Sequence, residues 1–368
     1  MSEVNLIVIG KTGVGKSSFC NYIFGEELFE RGDGAPVTGW SDHFKYYDVG
    51  YESFNLRVFD SVGIEANNLD KWKKELDQFI ASKFKKTSTP SDWIHGAFYV
   101  INAASARIEN SEIGVIGEFV EKDIPIQVVL SKSDLATEEQ KESLIKQLKS
   151  HFDHGVSISE VCSVEMRTRK GTKEQYGKEK TLDFMLKNID SKLRVKVGKY
   201  FLDKYIDTLR YLRRKINAAI NESDIGFTSL VKGLIQDGSD LDMDNVFNLD
   251  LDSFEELPSE YEEFLGNLDG FLFEMGFESE ESLREYLDDV HWKVERSLDD
   301  SFEKITGKLE SIASEFEVDG LFNKLSATWS MVKVLADLKG FTQSMMTEVF
   351  TPVENYLLEE KSKLMAVK

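Results

Sequence analysis

One glycine-rich segment near the N-terminus constrains the fold more than any other feature of the sequence. Four of its positions match the P-loop pattern G-x-x-x-x-G-K-[ST]: Gly10, Gly15, Lys16 and Ser17. The apolar, β-branched run Val4–Ile9 comes before it and is typical of a buried parallel strand. A helix is predicted to begin at about Ser17. A strand, a glycine loop and a helix in this order predict a phosphate-binding loop in an α/β domain.

Each residue type in this loop has a physical role in binding phosphate. Glycines let consecutive N–H groups turn inward, and a helix N-terminus favours an anion. Lys16 is placed to reach the β- and γ-phosphates, and the Ser17 hydroxyl is placed to reach a magnesium ion. The predicted nucleotide contacts in this loop are Gly10, Lys11, Thr12, Gly13, Val14, Gly15, Lys16, Ser17 and Ser18.

A second segment supplies the expected metal and γ-phosphate contacts. Ser53–Asp60 alternates apolar and polar residues, as a half-exposed strand does, and it runs into the pattern D-x-x-G at Asp60 and Gly63. We predict that Asp60 holds Mg²⁺ and that the Gly63 N–H reaches the γ-phosphate. Between the two motifs, Thr38 is the candidate for a threonine that caps Mg²⁺ when a γ-phosphate is present. The predicted catalytic residues are therefore Lys16, Thr38 and Gly63, and the predicted metal ligands are Ser17, Thr38 and Asp60.

Two further buried strands are predicted, Gly96–Ala103 and Ile124–Leu130, and the second runs into Ser131-Lys132-Ser133-Asp134. This tetrapeptide resembles the N/T-K-x-D motif by which GTPases recognise guanine, with serine at its first position. The Asp134 carboxylate can accept hydrogen bonds from guanine N1–H and the 2-amino group. Adenine has neither donor and would leave a buried carboxylate unpaired. The resemblance places Lys132 along the base and against the P-loop. It also places Ser163 and Val164 in the loop that packs on the base.

Taken in order, these elements cover residues 4–165 and resemble the translation-factor-related P-loop GTPases. The segments GKTGVGKSSFCNYIFG, PVT and DSVGIE look most like the Era-like GTPases. They are also similar to immunity-related GTPases, dynamin-related GTPases and septins. The resemblance implies a mostly parallel six-stranded sheet flanked by helices, GTP or GDP with Mg²⁺ as ligands, and hydrolysis of GTP.

The position after D-x-x-G, where Ras-like members have a water-orienting glutamine, is Ile64. Isoleucine cannot orient water by hydrogen bonding. We therefore expect slow basal hydrolysis that rises on dimerisation of the G domain or on binding a partner. Lys11, Thr12 and Arg107 are candidates for a contact with the γ-phosphate or with a partner's nucleotide. A solvated surface role remains open for each.

Length and charge indicate the organisation of the rest of the chain. A chain of 368 residues exceeds the size of most single cores, and we predict a G domain over 1–195 and an acidic helical domain over 196–368. Residues 221–300 hold 4 Lys and Arg against 24 Asp and Glu. Such a region repels a phosphate backbone, so DNA is not expected and RNA is an improbable partner. Two distant cysteines and the lack of a signal-peptide pattern favour a cytoplasmic protein.

The second half is predicted to be all-α. Apolar residues recur every three or four positions over Thr181–Ile220, and helical patterns return over Phe277–Phe316 and Ala327–Leu358. Between them, residues 221–258 are predicted to be an acidic loop. The apolar face of Ala327–Leu358 fits either a bundle core or a surface that binds a partner or a membrane.

Three functions fit this organisation. One is a GTP-dependent molecular switch whose helical domain engages a protein partner. The others are a dynamin-like or immunity-related self-assembling GTPase acting on membranes and, less favoured, a ribosome-assembly GTPase.

Overall fold

The computed structural model describes residues 3–25, 29, 44–50, 54–61, 63, 69–85, 87–152, 156–168, 171–222, 252–275, 283–318 and 327–366. These residues divide into two compact units, Met1–Lys196 with Glu263–Glu281, and Val197–Glu262 with Ser282–Lys368. The predicted switch residue Thr38 and the hydrophobic replacement Ile64 lie outside the described residues.

The first unit is an α/β fold with a six-stranded sheet and a two-stranded hairpin. Its strands are β1 (Glu3–Gly10), β2 (Phe44–Gly50), β3 (Asn55–Ser61), β4 (Gly96–Asn102), β5 (Ile126–Ser131), β6 (Ser157–Val161), β7 (Met166–Thr168) and β8 (Gly171–Lys173). Its helices are α1 (Lys16–Phe24), α2 (Leu69–Lys83), α3 (Asn110–Glu121), α4 (Glu138–Phe152) and the first part of α5 (Lys178–Glu222).

The order of the large sheet is β2-β3-β1-β4-β5-β6. Only β2 runs antiparallel to its neighbour, so the mostly parallel six-stranded sheet expected from the sequence is confirmed. Val8 pairs with Asp60, and Gly10 pairs with Val100. Because parallel strands end at the same edge, the residues after β1, β3, β4, β5 and β6 gather along one carboxyl edge, where α/β sheets bind ligands.

Two layers of helices bury this sheet. The central strands β4 and β5 are apolar and buried along nearly their whole length, as expected for strands covered on both faces. On one face, α2, α3 and α4 contribute Leu76, Phe119 and Leu144 to a continuous core. On the other face, Phe19 of α1 packs edge-on against Phe98 of β4, with 5.1 Å between ring centroids.

The hairpin β7–β8 was not predicted from the sequence. Its strands are three residues each and pair antiparallel, with Met166 opposite Lys173. Such short strands carry too few alternating residues to be distinguished from a loop by pattern alone.

The second half is helical, as predicted. Its described helices are the rest of α5, α6 (Asp252–Glu274), α7 (Leu283–Val318) and α8 (Ala327–Ala366). Helix α6 begins at Asp252, so residues 252–258 of the segment predicted to be an acidic loop are helical instead, and the helix contains Pro258. Among the described residues, no helix has the length and apolarity needed to cross a membrane.

The second half of α6 belongs to the first unit. There Phe264 packs on His95, Phe271 packs on Phe54, and Asp269 accepts a 2.9 Å hydrogen bond from Arg194. The predicted domain limits, 1–195 and 196–368, remain a prediction.

In the second unit, a polar cluster lies among buried leucines and valines. The Tyr205 hydroxyl is 2.8 Å from Nδ1 of His291, and the Tyr261 hydroxyl donates a 2.5 Å hydrogen bond to Asp288. Burial raises the pKa of both tyrosines above the ordinary value. These hydroxyls therefore stay protonated and can serve as hydrogen-bond donors within the helical core.

Candidate functional site

The P-loop joins the end of β1 to α1, and its glycines are required by the backbone. Gly10 has φ +152°, and a Cβ there would lie 2.4 Å from the main-chain oxygen of Val100. Gly15, with φ +97°, is the residue before α1. No side chain caps that helix, and its first turn holds no acidic residue. The first N–H groups of α1 are thus free of side-chain partners, as an anion site needs.

Lys16 folds back over this loop. Its ammonium donates hydrogen bonds of 3.2 Å to the main-chain oxygens of Gly10 and Lys11. Burial lowers the pKa of Lys16, and the negative charge of Asp60 opposes that effect. A partly buried cation held by carbonyl oxygens is well placed to exchange them for phosphate oxygens. Ser17 and Ser18 follow it in the first turn of α1, and both are half-buried.

Asp60 lies near the end of β3, the strand that pairs with β1. Its side chain is buried, and Oδ1 has no hydrogen-bond partner. Burial raises the pKa of Asp60 to about 6, against the opposing charges of Lys16 and Lys45. A buried carboxylate oxygen without a donor fits a divalent cation, because a hard cation prefers oxygen ligands. The residues present therefore fit Mg²⁺, and Asp60 and Ser17 are the candidate ligands among the described residues.

Gly63 packs directly against the P-loop. A Cβ at Gly63 would lie 2.2 Å from Oγ1 of Thr12 and 2.6 Å from its Cα. The Thr12 hydroxyl is itself buried without a hydrogen-bond partner. The D-x-x-G segment and the phosphate loop are thus brought together.

Lys11 has a partner that the sequence did not indicate. Its ammonium lies 2.6 Å from Glu109 and 3.1 Å from Glu112, at the N-terminal end of α3. Burial by itself would lower the pKa of Lys11, but the two carboxylates outweigh it and the pKa is raised. The Lys11 side chain is therefore held by ion pairs at the start of α3 rather than free in solvent. Arg107, the other candidate for a contact in trans, is exposed.

Ser131 connects the end of β5 to the P-loop. Its hydroxyl oxygen is 2.7 Å from the main-chain oxygen of Val14 and 3.0 Å from that of Ile101. The serine that departs from the family pattern still reaches the phosphate loop through its hydroxyl. Lys132, with φ +53°, donates a 2.8 Å hydrogen bond to the main-chain oxygen of Gly13.

Asp134 lies in the 3-10 turn Ser133–Leu135 that follows β5. Its side chain is 9% exposed, and Oδ2 has no hydrogen-bond partner. The Lys173 ammonium, from β8, lies 3.5 Å from this oxygen and donates a 2.6 Å hydrogen bond to the Asp134 main-chain oxygen. The sequence did not predict this contact. Lys173 reaches Asp134 only because it lies on β8 of the hairpin, which was not predicted either.

The two residues predicted to pack on the base differ in exposure. Ser163 is buried, and its main-chain oxygen accepts a 2.8 Å hydrogen bond from the Gln175 side chain. Val164 is 41% exposed. The Cys162 thiol beside them is buried, and burial, reinforced by the charge of Asp134, raises its pKa. The same loop therefore carries Ser163 and Val164 next to the Asp134 turn.

Comparison with known proteins agrees with this geometry. Residues 5–132 match the family described as 50S ribosome-binding GTPase. GTPase Era of Caldanaerobacter subterraneus subsp. tengcongensis is 25% identical over 199 residues, which are 54% of this chain and 58% of Era. The probable GTP-binding protein EngB of Aquifex aeolicus is 25% identical over 157 residues, 42% of this chain and 79% of EngB.

The similarity extends weakly to septins. Septin homolog spn5 of Schizosaccharomyces pombe is 24% identical over 151 residues, 38% of this chain and 32% of the septin. A solved septin GTPase domain from Chlamydomonas reinhardtii has 15% identity and a TM-score of 0.38, over 51% of this chain and 90% of that domain. The match thus spans about a third of spn5 and somewhat over half of Era. The N-terminal part of the chain, which contains residues 5–132, is therefore a P-loop GTPase domain similar to Era, EngB and septins.

Proposed function

We propose that this chain binds guanine nucleotides and hydrolyses GTP to GDP and phosphate, acting as a molecular switch whose helical domain engages a protein partner. The observation that carries the guanine assignment is the Asp134 carboxylate, nine-tenths buried and with Oδ2 lacking any hydrogen-bond donor. Guanine supplies N1–H and a 2-amino group as donors to such a carboxylate, and adenine has neither of these two donors. Leaving this buried oxygen without a hydrogen-bond donor costs about 1–3 kcal/mol, which favours guanine by about five- to 160-fold.

Phosphoryl transfer needs positioning and charge stabilisation, which the residues of the P-loop supply. Lys16 would leave the oxygens of Gly10 and Lys11 and place its charge on the β- and γ-phosphate oxygens. The Gly63 N–H would donate to the γ-phosphate from its position against Thr12. Bound Mg²⁺, held by Asp60 and Ser17 with Thr38, would neutralise phosphate charge.

The position immediately after D-x-x-G is Ile64, whose side chain cannot orient water by hydrogen bonding. We therefore expect a slow basal rate that dimerisation of the G domain or a partner increases. The decisive assay is phosphate release from GTP and from ATP across a wide range of protein concentration. GTP-specific turnover supports the proposal, and equal turnover of ATP overturns the assignment of Ser131–Asp134.

Replacing Asp134 sharpens this test. Asp134→Asn exchanges one carboxylate oxygen for an N–H₂ donor, which repels the guanine 2-amino group but can pair with the 2-oxygen of xanthine. We expect this variant to lose affinity for GDP and to gain affinity for xanthosine diphosphate. Asp123→Asn, at an exposed turn, is a matched control that should leave both affinities unchanged. An Asp134→Asn variant that still prefers GDP would contradict the proposed role.

A self-assembling GTPase acting on membranes is the second candidate. The same assay discriminates it, because specific activity that climbs with protein concentration and with added liposomes indicates assembly. Turnover that stays flat with concentration favours the switch.

A ribosome-assembly GTPase is the third and least favoured candidate. Its support is the description of the matched family, and the excess of acidic residues over 221–300 argues against contact with RNA. Co-sedimentation with ribosomal subunits at physiological salt would establish it.

A further inference from the structure

The hairpin β7–β8 brings one cation to the predicted guanine site. Lys173 Nζ donates a 2.6 Å hydrogen bond to the main-chain oxygen of Asp134 and lies 3.5 Å from Oδ2 of the same residue. The Lys173 side chain is 45% exposed, whereas that of Asp134 is 9% exposed. The partly exposed lysine therefore contacts both the main-chain oxygen and the carboxylate of one buried residue.

The base of the hairpin is fastened to the sheet, so this contact is built into the fold. Cys162 and Tyr176 form an isolated antiparallel bridge with two main-chain hydrogen bonds of 3.1 Å. The Gln175 side chain donates a further 2.8 Å hydrogen bond to the Ser163 main-chain oxygen. Gly177 follows with φ +95°, and a Cβ there would lie 2.1 Å from the main-chain oxygen of Glu160. Residues on both sides of the hairpin are thus held at the end of β6.

The two contacts of Lys173 have different consequences for a bound base. The hydrogen bond to the main-chain oxygen restrains the turn Ser133–Leu135, and the ion pair orients the carboxylate. At 3.5 Å the ammonium attracts Oδ2 without acting as its hydrogen-bond donor, and this oxygen remains open to an N–H group of a ligand. A carboxylate that accepts two N–H groups side by side must be held in the plane of the base.

We propose that Lys173 is a positioning residue for guanine selection, which holds the Asp134 carboxylate so that it accepts both N1–H and the 2-amino group. This inference rests on the proposed guanine specificity. It assigns part of that specificity to a hairpin outside the P-loop, D-x-x-G and S-K-S-D segments. Inosine diphosphate, which keeps N1–H and lacks the 2-amino group, is the ligand that isolates the effect.

The experiment compares GDP, inosine diphosphate and ADP as competitors of a fluorescent GDP analogue. The proteins are the full-length wild type, Lys173→Met, Lys173→Arg and the control Lys187→Met. Lys187 is an exposed lysine of α5 paired with Asp183. Loss of the partly exposed ion pair and its hydrogen bond in Lys173→Met should lower the affinity for GDP about three- to tenfold. The affinity for inosine diphosphate should fall less. Lys173→Arg should keep the wild-type ratio, and Lys187→Met should leave it unchanged.

The ratio of GDP to inosine diphosphate affinity separates positioning from a general loss of structure. A turn that merely loosens would weaken both ligands equally and leave the ratio at its wild-type value, and that result overturns the inference. Lys173→Gln, of similar length and polar, gives a second measurement if the methionine variant is unstable. A wild type that binds ADP as tightly as GDP would refute the proposed function and this inference together. A guanine-selective wild type with an unchanged ratio in Lys173→Met refutes only the inference.

Discussion

The Lys132 ammonium lies 2.8 Å from the main-chain oxygen of Gly13, so one side chain joins the loop after β5 to the phosphate loop. The stem of Lys132 also passes over Gly15, where a Cβ would lie 3.7 Å from its Cε. The predicted base-binding and phosphate-binding segments are therefore a single connected structure before any ligand is considered.

Replacing Lys132 should weaken binding of the whole nucleotide. In Lys132→Met, the affinities for GDP and GTP should fall by about tenfold or more, since a charged hydrogen bond contributes roughly 1.5–3 kcal/mol. Competition binding with both nucleotides measures the effect. Lys122→Met, which removes an exposed ion pair with Asp77, is the control and should bind as the wild type does. Unchanged GDP affinity in Lys132→Met would show that the bond to Gly13 is dispensable.

Replacing Gly63 should separate hydrolysis from binding. An alanine Cβ would lie 2.6–2.7 Å from main-chain atoms of Thr12, which cannot rotate away, so the D-x-x-G segment has to move. We expect GTP hydrolysis to fall on the order of a hundredfold, as for loss of one transition-state donor, with GDP affinity nearly unchanged. Gly50→Ala is the matched control, because a Cβ there meets nothing within 4 Å. Normal single-turnover hydrolysis by Gly63→Ala would contradict the predicted role of Gly63.

Asp60 should strengthen the Mg²⁺-dependent binding of GTP and lower the free energy of unfolding of the nucleotide-free protein. Its pKa is raised to about 6 by burial, so between about pH 4 and 6 the folded chain retains a proton that the unfolded chain releases. Stability contributed by this group therefore falls as the pH rises through that window. Asp60→Asn should raise the free energy of unfolding of the nucleotide-free protein at pH 7 by about 1–3 kcal/mol, and should abolish Mg²⁺-dependent GTP binding.

Urea unfolding at several pH values, with EDTA present, measures the Asp60 effect. The wild type and Asp60→Asn should converge below about pH 4, where the carboxyl group is protonated in both states. A variant that is less stable than the wild type at pH 7 would show that Asp60 has a stabilising partner in the free protein.

His95 should make an opposite contribution to the pH dependence. It is fully buried, its Nδ1 accepts a 2.7 Å hydrogen bond from the Asn5 N–H, and its Nε2 lies 2.9 Å from the Pro90 oxygen. Burial lowers the pKa of His95 to about 4, so the folded chain keeps this ring neutral where the unfolded chain protonates it. Stability is then lost as the pH falls from about 6.5 to about 4, by up to roughly 3 kcal/mol.

His95→Gln removes this titration, so on going from pH 6.5 to pH 4 its unfolding free energy should fall less than that of the wild type, by up to roughly 3 kcal/mol, though the variant is less stable at pH 7. His151→Gln changes an exposed ring on α4 and is the control. Because Asp60 acts with the opposite sign in an overlapping window, the slope must be compared between each variant and the wild type. Equal slopes for His95→Gln and the wild type would contradict the assignment.

Local patterns were sufficient for much of this fold. The β-branched run before Gly10, the glycine loop and the following helix are each specified by residues adjacent in sequence, and the observed elements lie within a few residues of those predicted. The mostly parallel six-stranded sheet was expected from the family resemblance, and its strand order β2-β3-β1-β4-β5-β6 is a finding of the structure. Local pattern also predicted α5. Its apolar residues recur every three or four positions over Thr181–Ile220, and the helix extends over Lys178–Glu222.

Helix α6 shows where local patterns are insufficient. The acidic composition of residues 221–258 predicts a solvated loop, yet α6 begins at Asp252 and buries Leu257 and Tyr261. A few apolar side chains that pack on other helices outweigh a local excess of charge, because most helix stability in proteins comes from packing.

The sequence by itself therefore determined the P-loop pattern and the helical second half, and it predicted which residues contact a nucleotide. Only the tertiary structure decided that Lys11 pairs with Glu109 and Glu112, that Gly63 lies against Thr12, and that Lys173 reaches Asp134. Each of these contacts joins segments separated by tens of residues. Their distances depend on how the sheet and the hairpin place chain segments in space, and no pattern of neighbouring residues encodes that.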